Sequence, residues 1–115
     1  MSESDPAPAW LVITTLDDPD AAERLAGHLV EAGRAACVHM LPPGRSIYQW
    51  QGRIEVDSEV TLLIKTSREA WPELRATLHD QHPYDTPEII VTPITDGSAA
   101  YLAWLTAETS PQGAA

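Results

Sequence analysis

Cysteine, lysine and phenylalanine are nearly missing from this sequence: 115 residues hold one cysteine, one lysine and no phenylalanine. A lone Cys37 makes no intrachain disulfide and no cysteine-based zinc site, so nothing in the thiol content argues for an oxidising compartment, and a cytoplasmic protein is expected. Basic residues are scarce as well, with 7 Lys and Arg against 17 Asp and Glu and a net charge of -10. Nucleic-acid binding needs clustered cations and is excluded on that balance. No run approaches the roughly 18 apolar residues of a membrane span, and the opening MSESDPAPAW lacks the basic and apolar regions of a signal peptide. Also missing are a glycine-rich phosphate loop, a Gly-x-Ser-x-Gly elbow and a Cys-x-x-Cys pair, so no enzymatic activity is expected.

What is present is a regular alternation of short elements. Residues 1–8 read as a disordered lead, 9–107 as one domain and 108–115 as a disordered tail. Trp10 to Thr15 is an apolar, β-branched run of strand length. Asp18 and Pro19 are suited to the N-cap and first position of a helix carrying Ala22, Leu25, Ala26, Leu29 and Val30, with Gly33 as its stop. A strand from Ala35 to Leu41 is interrupted by Pro42-Pro43-Gly44 and resumes over Ser46 to Trp50. Gln51-Gly52 then turns into a long strand from Arg53 to Thr66. Trp71, Leu74 and Leu78 mark a second helix, His82-Pro83-Tyr84-Asp85-Thr86-Pro87 a stiff loop, and Glu88 to Ile94 a last strand. Ser98 caps a final helix with Tyr101, Leu102 and Leu105 on one side.

The order β-α-β-β-α-β with an added helix is the ferredoxin-like plan of the α+β class, an antiparallel sheet with two helices on one side. A two-residue turn sets Trp50 opposite Arg53, Tyr48 opposite Glu55 and Ile47 opposite Val56. Ile47, Ile54, Val56, Val60, Leu62 and Ile64 then share the face expected to meet the helices. Tyr48, Trp50, Glu59, Leu63 and Lys65 share the other. That second face mixes apolar and charged residues, and a partner subunit explains it better than water does. A homo-oligomer is expected.

Five stretches in order, Ala35 to Val38, Ser46 to Gly52, Glu59 to Thr66, His82 to Glu88 and Tyr101 to Leu105, resemble the CutA divalent-cation tolerance proteins. The resemblance spans about Trp10 to Leu105. It implies a ferredoxin-like homotrimer of the cytoplasm, linked to tolerance of copper and other divalent metals and sharing its trimeric architecture with the PII signalling proteins. The histidines before Pro-Tyr in bacterial relatives look like part of a copper site, which makes His82 the metal-ligand candidate, for Cu(II) or another divalent cation bound weakly. Gln81, Thr14 and Thr77 stand where copper-binding relatives carry histidine or cysteine, so thiolate ligands are lacking.

A plainer reading has His79 and His82 capping a helix C-terminus. Cys37 reads as a small apolar strand residue beside His39. Tyr48, Trp50, Glu59, Lys65, Tyr84 and Glu88 form a second candidate group, lining an inter-subunit cleft in which Lys65 would hold a small anionic ligand in a PII-like binding module. The alternative is that the same residues are interface anchors.

Overall fold

In a computed structural model, which describes residues 7–110, everything is arranged along one strand, β4 (Arg53–Ser67). Its 15 residues, at about 3.3 Å each, run close to the full 48 Å length of the molecule. β1 (Ala9–Leu16) pairs antiparallel with the far half of β4, from Val60 to Ser67. On the opposite side β4 takes two strands in series, β2 (Cys37–Met40) against Leu62 to Lys65 and β3 (Gly44–Trp50) against Arg53 to Glu59. Pro42 and Pro43 lie between them, where prolines without an N–H cannot continue a ladder. β5 (Ile89–Pro93) pairs with β1, completing an all-antiparallel sheet with the ferredoxin-like order β2-β4-β1-β5.

The helices form where local chemistry starts and stops them. α1 (Pro19–Glu31) has Asp18 as N-cap, its carboxylate accepting from the Asp20 N–H, and Gly33 follows at a positive φ of 72°. α2 (Trp71–Gln81) tolerates Pro72 because it lies in the first turn. α3 (Ala99–Glu108) is capped by Ser98, which accepts from the Tyr101 N–H.

Strand alternation sorts the core. Val12, Leu16, Val60, Leu62 and Ile64 meet Ala22, Leu25 and Leu29 of α1 and Leu74 and Leu78 of α2 on one face. On the other face, Ala9 and Ala36 pack under Leu102 and Leu105 of α3. The chain thus covers part of the mixed face with its own last helix. Residues 1–6 and 111–115, to which most of the expected lead and tail belong, lie outside the described residues. At the described margins the Pro8 carbonyl accepts from the Arg68 N–H, and Thr109 is buried at the end of α3.

The expected hairpin register holds residue for residue, with Trp50 opposite Arg53, Tyr48 opposite Glu55 and Ile47 opposite Val56. Gln51 and Gly52 both have positive φ, 50° and 79°, as a two-residue type I′ turn requires. The apolar face behaves differently along its length. Val60, Leu62 and Ile64 are buried beneath the helices, but Ile47 and Ile54 are 70% exposed and Val56 is 54% exposed. The expectation that all six meet the helices is corrected, because β3 and the near half of β4 form an arm reaching past the helical layer. A radius of gyration of 15.2 Å, against about 13 Å for a compact chain of this length, fits that extension.

Among the described residues two buried side-chain polar atoms lack a hydrogen-bond partner, the Thr14 hydroxyl and Arg34 Nε. The Thr14 hydroxyl is fully buried without a hydrogen-bond partner, whereas the buried Thr66 hydroxyl donates to the Arg34 carbonyl at 2.7 Å. Replacing an unsatisfied buried hydroxyl by a methyl removes its desolvation cost. Thr14→Val should therefore raise unfolding stability by about 1 kcal/mol, read as a higher urea midpoint at unchanged slope; a lower midpoint contradicts the assignment.

Candidate functional site

The candidate site lies where the root of the β3–β4 arm meets the loop after α2. A cleft of about 690 Å³ opens there, lined by Thr15, Ser46, Tyr48, Trp50, Glu59, Tyr84, Asp85, Thr86 and Glu88 among others. The His-Pro-Tyr loop forms its wall because Pro83 and Pro87 hold residues 82–88 out of helix and lead them into β5. A smaller hollow of about 290 Å³ adjoins it, sharing Tyr48 and Tyr84 and adding Asp17, Asp57 and Ser58.

Two tyrosines tie the arm and the loop to carboxylates. The Tyr84 hydroxyl donates to Glu59 Oε2 at 2.7 Å, linking the loop to β4, and the Tyr48 hydroxyl donates to Asp57 on the neighbouring strand. Donation to Asp57, with burial and the nearby carboxylates adding to it, pushes the Tyr48 phenol up to about 12. Burial, then the Glu59 bond and the charges of Glu59, Asp17 and Asp57, hold the Tyr84 phenol well above its ordinary range. Both phenols stay protonated at neutral pH and serve as donors that orient carboxylates, a role unlike that of a phenolate base.

His82 has a defined structural job. Its ring is 7% exposed and lies edge-on to Tyr84. The backbone N–H of Tyr84 reaches Nδ1 at 3.2 Å, so that nitrogen accepts; Nε2 therefore carries the proton and donates to the Thr15 carbonyl at 2.9 Å. The ring bridges the loop to the end of β1, and its one in-plane lone pair, on Nδ1, is taken by the Tyr84 N–H. Its backbone N–H caps α2 through the Leu78 carbonyl, while the side chain turns away from the helix. His79 is exposed on the last turn of α2, and Gln81 is exposed beside it. Thr77 uses its hydroxyl on the Glu73 carbonyl one turn back, and Thr14 is buried in the core. Among the described residues no three His, Cys, Asp or Glu side chains converge in a way that suits a metal ion.

Of the cleft group read from the sequence, Tyr48, Trp50, Glu59, Tyr84 and Glu88 line one cleft. Lys65 does not join them. It lies farther along β4, paired with Cys37 and Leu11, and its Nζ sits 6.0 Å from the Tyr101 ring centroid. Its separation has a simple cause: residues on one strand face share an orientation but are spread along the strand at about 7 Å for each pair of steps. The cleft also contains residues that sequence reasoning missed, namely Thr15, Ser46, Ile47, Asp85 and Thr86. Asp17 had one usable signal, its position directly after a strand ending in Thr15-Leu16.

The comparisons with known proteins agree with this architecture. The chain matches the family described as CutA1 divalent ion tolerance protein over residues 10–108. A protein named "Divalent-cation tolerance protein CutA" from Pectobacterium atrosepticum is 44% identical over 107 residues, covering 93% of this chain and 97% of that protein. "Protein CutA, chloroplastic" from Arabidopsis thaliana is 40% identical over 98 residues, covering 85% of this chain and 54% of the plant protein. The solved structure of the divalent cation tolerance protein from Thermus thermophilus superposes with a TM-score of 0.86 at 40% identity, covering 89% of this chain and 99% of that one.

The buried imidazole predicts a pH dependence. Burial, outweighing the Thr15 carbonyl and the charges of Glu59 and Asp17, holds His82 below its usual value of 6.5. The unfolded chain then takes up this proton first, so the contribution to stability is complete above pH 6.5 and is lost as pH falls towards the folded value. His82→Gln should show a smaller fall in urea midpoint between pH 7 and pH 5 than the unaltered protein; equal slopes contradict the assignment.

Proposed function

The chain belongs to the CutA1 divalent ion tolerance family, and from that membership we propose that it is a non-catalytic homotrimer of the cytoplasm. In this reading it contributes to tolerance of copper and other divalent cations. The observation that carries the assembly is the bare apolar face of the arm. Ile47, Ile54 and Val56 sit together on paired strands, each more than half exposed. Burying a side chain of this kind is worth about 1.5–3 kcal/mol. A two-stranded ribbon with that face open is also marginal in water. Packing against further copies of the chain stabilises the arm and sets its cleft at a subunit boundary. A free Cys37 fits a reducing compartment.

Metal association in this reading is weak and runs through carboxylates. Glu59, Asp85 and Glu88 offer hard oxygen donors at the cleft, and the net charge of -10 concentrates divalent ions near the surface. His82 stands behind the cleft wall as a brace. No resident metal centre is assigned within one chain, because both imidazole nitrogens are occupied and no thiolate joins them. An anionic ligand is disfavoured at the same cleft, whose lining carries carboxylates and no lysine or arginine.

Two measurements follow. Ile54→Asp places a charge on the face that would be covered, and sedimentation velocity at low micromolar concentration should then report the 12.5 kDa chain in place of an assembly three times as heavy; an unchanged assembly contradicts the interface. Calorimetric titration with Cu(II) should give affinities within about twofold for the unaltered protein and His82→Gln, and a fall for Glu59→Gln combined with Glu88→Gln. Loss of copper binding in His82→Gln alone returns the imidazole to the ligand set.

A further inference from the structure

The cleft has a composition that tolerance of metal ions does not explain. Its walls carry the aromatic side chains of Tyr48, Trp50 and Tyr84, and its rim carries Glu59, Asp85 and Glu88, with no basic residue among those lining it. A hydrated divalent metal gains little from aromatic faces, and about 690 Å³ is far more room than such an ion fills. An organic ammonium group uses both features. It pairs with carboxylates, and its alkyl surface and charge are attracted to indole and phenol faces.

The layout also sets the shape of the occupant. Trp50 is opposite Arg53 at the tip of the arm, while Glu59 lies at its root, about 20 Å away at strand rise. A compact cation reaches one end of such a cleft, and a linear one follows it. Glu55, Asp57 and Glu59 share one face of β4, roughly 7 Å apart, with Glu59 lining this cleft and Asp57 the adjoining hollow. Tyr48 and Tyr84 hold two of these carboxylates by hydroxyl donation, so the acceptors are set before a ligand arrives. Within one chain Trp50 is 51% exposed and Tyr48 is 41% exposed, and both line the cleft.

We propose that this cleft binds a linear aliphatic di- or polyamine, with its ammonium groups on the Glu59–Glu88 rim and its chain along Tyr48 and Trp50. The inference rests on the cleft staying open at the boundary between subunits. It uses the same Glu59 and Glu88 carboxylates as the weak metal association proposed above, so the amine arms of the test are run in chelator and the two readings fail separately.

The probes are spermidine, putrescine and Mg²⁺, added to the intact assembly in EDTA-containing buffer at constant ionic strength, with the chelator in excess replaced by buffer alone in the Mg²⁺ arm. Two-dimensional NMR follows the Trp50 indole N–H, assigned through Trp50→Phe, and the backbone N–H groups of Tyr84 and Glu59. Saturable shifts at these positions are expected with spermidine, weaker ones with putrescine, and none that saturate with Mg²⁺. Trp50→Ala should weaken spermidine binding roughly three- to tenfold, the range of a cation–aromatic contact. Glu59→Gln combined with Glu88→Gln should weaken it at least tenfold. Sedimentation checks that each variant remains assembled; if Trp50→Ala dissociates, the paired glutamine variant and Tyr48→Leu decide the matter. Equal response to putrescine and Mg²⁺, which carry the same charge, would reduce the effect to the ionic atmosphere and overturn the proposal. So would spermidine affinity unmoved by the glutamine variant, or tetralysine binding far more tightly than spermidine, which would mark the surface as a protein-docking face.

Discussion

The structure depends on one continuous ladder along β4. Its far half is fixed from both sides, by β1 and β2, with α1 and α2 pressed on one face and α3 on the other. Among the described residues its near half has β3 alone beside it. Because the same strand runs through both environments, the arm inherits its direction and register from the core. Pro42-Pro43-Gly44 makes this possible by ending β2 and letting β3 resume against the next stretch of the same strand.

The cleft follows from that arrangement. The arm supplies Tyr48, Trp50 and Glu59, and the loop after α2 supplies Tyr84, Asp85 and Glu88. What joins them is a short relay of hydrogen bonds. The Thr15 carbonyl receives His82 Nε2–H, His82 Nδ1 receives the Tyr84 N–H, and the Tyr84 hydroxyl reaches Glu59. The first and last of these bonds cross between elements and the middle one lies within the loop, so the relay couples the end of β1, the loop and the root of the arm. A histidine that looks like a ligand in the sequence is the keystone of this relay, and its usefulness there depends on staying neutral and buried.

Much of this was legible in the sequence for identifiable reasons. Period-two alternation around a Gln-Gly turn fixes the register from Ile47 opposite Val56 to Trp50 opposite Arg53, since a shift by one residue would invert both faces. Asp18-Pro19, Gly33 and Ser98 mark helix ends through local hydrogen-bonding chemistry. Three things were not legible. The face of a strand can be read without knowing where the helices stop covering it, so Ile47, Ile54 and Val56 were assigned to the core while they belong to the arm. The position of Lys65 failed similarly, because a shared face says nothing of distance along the strand, and α3 claims that end of the sheet. The engagement of both His82 nitrogens was also hidden, since Thr15 is remote in sequence.

In the proposed assembly the arm is part of a packed interior. Hydrogen–deuterium exchange of the backbone N–H groups from Gly44 to Val56, compared with those of Val12, Leu62 and Ile64, tests it directly. The hydrogen-bonded arm positions should exchange about as slowly as the core, because opening them then requires dissociation of the assembly. Exchange of the whole arm orders of magnitude faster than the core, in protein at high concentration, would contradict it.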